Sequence, residues 1–158
     1  MNLKGQLENA VRLLLTHSNE LPEKFKETAN AKAKIYMGAD SDTISRPCVV
    51  VWCQGGQEEP QGSGNFRMQM TVLVKSLDTP DMGAESGCDP VAIHNDDAAA
   101  VFGILQYDNL GEQLSDQVED LKVYDPVTDT SLDPSLDGHA FVDGFSFSAY
   151  CCGSHIPD

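Results

Sequence analysis

The chain has 158 residues, 41% of them hydrophobic, and its 25 acidic and 10 basic side chains give a net charge of -15. A chain of this size forms one ordinary domain, 1–158, with a core large enough to need no disulfide or metal staple. No apolar run approaches the ~20 residues that span a bilayer. The acid excess disfavours nucleic-acid binding through most of the surface, because phosphate neutralisation needs Lys and Arg.

Residues 3–18 predict an amphipathic helix. Leu3, Leu7, Ala10, Val11, Leu14 and Ser18 recur at steps of three and four, with Gln6, Glu8, Asn9 and Arg12 opposite. Pro22 suits the first turn of a short second helix ending at Thr28. Ala33, Ile35 and Met37 alternate with Lys32, Lys34 and Tyr36, the pattern of a half-buried strand. Pro47 to Gln54 predicts a strand covered on both faces, because Val49, Val50, Val51 and Trp52 do not alternate. Trp52 is expected in the core.

Phe66 to Ser76 carries the clearest period of two. Phe66, Met68, Met70, Val72 and Val74 share one face, and Arg67, Gln69, Thr71 and Lys75 the other. The polar, glycine-rich stretch 54–64 is too long for a tight turn and predicts a flexible arm at the tip of a long hairpin. Residues 77–93 predict a loop. A helix then starts at Asn95 or Asp96 as N-cap, with Ala98, Val101, Phe102 and Leu105 as its buried stripe. Asp108-Asn109 breaks it before a short continuation carrying Leu110 and Leu114. Leu121 and Val123 belong to a fourth strand, 125–138 to a loop, and Phe141 to Cys152 to a last strand with Phe145, Phe147, Ala149 and Cys151 on one face. The order α-β-β-β-α-β-β predicts an α+β fold: a mostly antiparallel or mixed sheet with two helices packed on one face.

Charge is uneven along this order. Residues 1–46 hold Lys4, Arg12, Lys24, Lys26, Lys32, Lys34 and Arg46 for a net of +1, and residues 47–158 carry a net of -16. Such asymmetry suits head-to-tail self-assembly. The N-terminal stretch Met1-Asn2-Leu3-Lys4-Gly5-Gln6 lacks the apolar run of a secretory leader, so cytosolic synthesis is expected. The five cysteines form no C-x-x-C pair. Cys48, Cys53 and Cys151 lie in or beside apolar strand runs, as reduced, buried thiols do.

Candidate chemistry is sparse. His94 with Asp96 and Asp97 has the composition of a metal cluster or acid/base pair, but capping acids at a helix start have the same look. The aspartates at 125, 129, 133 and 137 recur every fourth residue, whereas a calcium loop needs every second. Cys151, Cys152 and His155 fall one ligand short of a structural zinc site. Cys53 and Cys88 lack any nucleophile motif around them, and Gly55-Gly56 with Gly62-Ser63-Gly64 is not followed by the lysine of a phosphate loop. No catalytic residue, metal or cofactor is expected.

The segment order resembles the tail-terminator and neck-completion proteins of long-tailed bacteriophages. The stretches that carry the likeness are Leu7 to Leu15, Val49-Val50-Val51-Trp52 with Met68 to Val74, and Ala99 to Leu105 followed by Asn109 to Leu114. The resemblance implies a structural virion protein of the neck, assembled in the host cytoplasm. It implies a ring, typically of six copies, that contacts tail-tube protein on one side and head-completion protein on the other. DNA would pass through the lumen, and no membrane is involved. Gln54, Gln57, Glu58, Glu59, Gln61 and Ser63 would then form the assembly arm. Other readings are a head-closure or tail-tube protein of the same neck, a small metal-dependent hydrolase using His94, Asp96 and Asp97, and a monomeric adaptor binding a peptide at a sheet edge.

Overall fold

The computed structural model describes residues 2–30, 32–38, 47–78, 90–106, 109–129, 135–137 and 140–152. Helix α1 spans Leu3–His17. Asn2 caps it, its side-chain oxygen accepting the Gly5 N–H at 2.9 Å. Leu3, Leu7, Ala10, Val11 and Leu15 form its buried stripe, each full-sized side chain stabilising the fold by about 1.5–3 kcal/mol. Gln6, expected on the polar side, is buried beside them. The second helix expected over 22–28 is only a 3-10 turn, Glu23–Phe25, which buries Phe25.

Strands β1 (Ile35–Met37), β2 (Cys48–Glu58) and β3 (Phe66–Asp78) follow. Helices α2 (Pro90–Leu105) and α3 (Leu110–Ser115) come next. Strands β4 (Lys122–Asp129), β5 (Ser135–Asp137) and β6 (Ala140–Cys152) complete the order. The sheet runs β1-β2-β3-β6-β4, with β5 also on β6. It is mixed: β1 pairs parallel to β2, and every other pair is antiparallel. β3 covers one edge of β6 from Cys151 to Ala140, so β4 and β5 share the other edge end to end.

Met68, Met70, Val72 and Val74 of β3 and Phe145, Phe147, Ala149 and Cys151 of β6 point to the helices, and all are buried. Phe145 stacks on Phe102 of α2 with ring centroids 5.5 Å apart. α1 lies over β1 and β2, α2 over β3 and β6, and α3 over β4. The fold is thus α+β with the helices on one face, as the periodicities predict. Trp52 departs from expectation. It is half-buried and alternates onto the face away from the helices, since Val51 and Cys53 take the core positions.

Two boundaries also differ. α2 begins at Pro90, five residues before the expected cap, so Asp96 and Asp97 lie in its second turn. Pro90 supplies the helix start because a first-turn residue needs no N–H. Part of the loop expected over 125–138 is strand. β4 runs through Asp129 by way of a bulge between Tyr124 and Val127, where Asp125 has φ 49°. Of the loop expected over 77–93, residues 79–89 lie outside the described residues.

Candidate functional site

The hairpin tip is built from the end of the ladder outward. β2 and β3 pair regularly to Cys53 opposite Met70, slip by one residue at Gln54, then pair again from Gly55–Gln69 to Glu58–Phe66. Glu8 of α1 accepts the Cys53 N–H at 2.9 Å, which ties the helix to the bulge. Gly55 takes φ 109°, a region side chains avoid. A Cβ on Gly56 would stand 2.1 Å from the Arg67 carbonyl oxygen and 2.6 Å from Met68 Sδ. Both glycines are therefore strand residues required by the bulge and by close packing. The stretch read as a flexible arm is strand as far as Glu58, because cross-strand pairing continues after burial ends.

Only residues 59–65 form the tip, held by bonds within it and to Glu58, Arg67 and Tyr150. The Glu58 carboxylate accepts the N–H groups of Gly62 at 2.7 Å and Gly64 at 3.1 Å. Glu59 N–H donates to the Asn65 carbonyl, and Ser63 N–H to that of Pro60. Of the expected arm residues, Gln54 occupies the bulge, Gln57 and Glu58 lie in β2, and Glu59, Gln61 and Ser63 lie in the tip. No residue from 54 to 66 is buried.

Below the tip, on the sheet face away from the helices, Arg67, Tyr150 and Tyr124 stand in register across three strands. The Arg67 guanidinium lies 4.1 Å over the Tyr150 ring, and the two tyrosines stack at 5.9 Å. Glu59 Oε2 receives Arg67 Nε at 3.1 Å and the Tyr150 hydroxyl at 3.4 Å. Bonds to Tyr150 and Glu59 raise the Arg67 pKa further above its ordinary value. A polar hollow of about 410 Å³ opens beside them, lined by Gln54, Gly55, Gly56, Gln57, Glu59, Arg67 and Gln69. The alternation of β3 puts Arg67 on this face. The aligned register that builds the stack is not legible in any one segment.

A second cluster is buried at the opposite end of the sheet. His94 of α2 turns toward the sheet, where Ser76 Oγ hydrogen-bonds its Nδ1 and Asp143 Oδ2 lies 3.3 Å from its Nε2. All three residues are at most 4% exposed. A Ser-His-Asp set has the composition of a nucleophile relay. Here the serine meets Nδ1 and the carboxylate Nε2, and no described hollow reaches Ser76. The set is a sealed polar network linking α2 to β3 and β6.

Asp96, which the sequence groups with His94, is exposed, and Asp97 instead pairs with Lys24 at 2.5 Å. Among the described residues no group of three or more His, Cys, Asp and Glu side chains is placed to hold a metal. Asp133, Cys88 and His155 lie outside the described residues. Cys53 and Cys151 are core thiols. Burial raises the Cys53 pKa and pushes that of Cys151 up to about 12. Cys152 alternates to the other face. No described helix is long and apolar enough to cross a membrane. Comparison with protein-family models and with curated proteins finds no match for this chain.

Proposed function

We propose that the chain is a structural subunit of a tailed-phage neck, a tail-terminator or neck-completion protein that assembles into a ring and joins tail tube to head. The observation that carries this reading is the β2–β3 hairpin. Its last stretch buries no side chain, yet Glu58 holds the tip in one shape through two charge-assisted bonds. Ordering a segment without core burial costs entropy, and a rigid projection recovers that cost where it docks on another subunit. The charge distribution agrees. Unlike surfaces of adjacent copies meet in a closed ring, and an acidic lumen lets DNA pass without adhering. The order of helices and strands supports the same reading.

Partners on this reading are further copies of the chain, the tail-tube protein and a head-completion protein, with the virion neck as location. Light scattering on the purified chain, followed by negative-stain imaging with and without tail tubes, tests it. The expected result is a ring with a central hole, free in solution or formed on tube ends. A protein that stays monomeric at high concentration and ignores tubes would sink the proposal.

A further inference from the structure

The described side chains of the first two turns of α2, residues 92–97, make few core contacts. Of residues 92–97 only His94 is buried, while Ala92, Asn95 and Asp96 are exposed. The next core contacts are Ala98 and Val101. Among the described side chains, the fixed contacts at this end are the seat of His94 and the Lys24–Asp97 pair, with Ile93 half-buried.

The seat is complete only for a neutral ring. The Ser76 hydroxyl then donates to Nδ1, and the Nε2 proton points to Asp143. A second ring proton would make Nδ1 a donor and force the Ser76 hydroxyl to turn away. It would also place a full charge where little water reaches. Among the described residues, the charged groups that act on the ring include Asp143 from β6, Asp97 from α2 itself and Lys24 from the turn after α1; β3 contributes the neutral Ser76. Burial outweighs the attraction of Asp143 and Asp97 and lowers the His94 pKa below its ordinary 6.5, with Lys24 acting in the same direction as burial.

We propose that Ser76, His94 and Asp143 form a proton-operated latch, which holds the first two turns of α2 on the sheet while His94 is neutral and releases them in acid, leaving the β2-β3-β6 ladder paired. In the released state His94 is hydrated and takes up a proton near its ordinary pKa. In the closed state it does so only at lower pH. Closure is therefore full above about pH 6.5 and weakens as pH falls below it, by at most about tenfold per unit for one proton. The latch is independent of ring formation.

Hydrogen exchange of the full-length protein, corrected for the intrinsic effect of pH, tests this between pH 7.5 and 5.0. Amides of 94–97, the first of α2 with acceptors inside the helix, should lose protection several-fold in acid while those of 68–74 keep theirs. The His94 ring resonance should titrate below 6.5. His94→Gln should abolish the acid response. Should that variant not fold, the surface change Lys24→Gln removes the cation that opposes protonation and leaves Asp97 unpaired. It should move the His94 midpoint upward and reduce the ratio of exchange at pH 5.0 to that at pH 7.5, while loss of the Lys24–Asp97 pair lowers protection of this end at both pH values. Equal protection of 94–97 at both pH values, a midpoint at or above 6.5, or no shift in Lys24→Gln would overturn the latch.

Discussion

Two helical glycines should respond to the same substitution with opposite signs. Gly103 lies in α2, where a methyl would meet nothing within 4 Å. The space there is an open hollow of about 240 Å³ lined by Glu20, Ala99, Ala100, Gly103 and Ile104. Gly103→Ala therefore gains only helix propensity, about 0.5–1 kcal/mol. Gly111 opens α3 against the edge of β4, and its Cβ would stand 2.6 Å from the Val123 carbonyl oxygen and 3.3 Å from the carbonyl carbon. Relief requires α3 to lift off a backbone that cannot rotate away, at about 1–3 kcal/mol. Lifting also strains the Ser115 hydroxyl, which accepts the Val123 N–H at 2.8 Å and contributes about 1 kcal/mol. Against a propensity gain of at most about 1 kcal/mol, Gly111→Ala should lose roughly 1–3 kcal/mol net. For a domain of this size that is a melting point lower by about 2–12 °C, against a rise of about 1–4 °C for Gly103→Ala. Urea titrations followed by circular dichroism at constant m-value measure both. If Gly111→Ala is as stable as the parent, α3 does not press on the β4 edge as described.

Ser115→Ala should cost about 1 kcal/mol in the same assay, because it removes the side-chain partner of the Val123 N–H at the sheet edge. Glu58→Ala should change the unfolding midpoint by less than about 1 kcal/mol yet lose binding to tail tubes in co-sedimentation, since it frees the tip without touching the core. Equal binding by this variant would separate the tip from docking. The Cys151 thiol, with its pKa near 12, is ionised in about one molecule in ten thousand at pH 8. Native protein should leave Cys48, Cys53 and Cys151 unmodified by a thiol reagent over hours, and unfolding in urea should expose them at once. Rapid native labelling of Cys151 would contradict its burial.

The parts of the fold legible in the sequence are those where burial imposes a period. The alternation of Met68, Met70, Val72 and Val74 and the stripe Ala98, Val101, Phe102, Leu105 give β3 and α2 directly, because one face of each element is packed and the other is wet. The start of α2 was hidden because acids in a second turn look like acids at a cap. The strand residues Gly55 to Glu58 were hidden because a hairpin beyond the core has no buried face to mark. Gln6 and His94 break the polar-outside rule for want of a local signal: the partners of His94 come from strands 18 and 49 residues away in sequence. The hairpin itself was legible from the two apolar runs and the polar, glycine-rich stretch between them. Its rigid tip and the Arg67–Tyr150–Tyr124 stack were not, since they arise from register across three strands.

The central place of β6 also fixes an order of events during synthesis. β3 waits for a partner whose residues emerge up to 85 positions later, as the Phe66–Cys151 pairing shows. Until β6 leaves the ribosome, β3 presents a 13-residue edge carrying Met68, Met70, Val72 and Val74 with no strand beside it, and β4 and β5 have nothing to join. Such an edge is a template for pairing between nascent chains. Messages stalled ahead of β6 should therefore yield aggregates rather than soluble half-domains, and chaperone demand should be concentrated in the interval between β3 and β6.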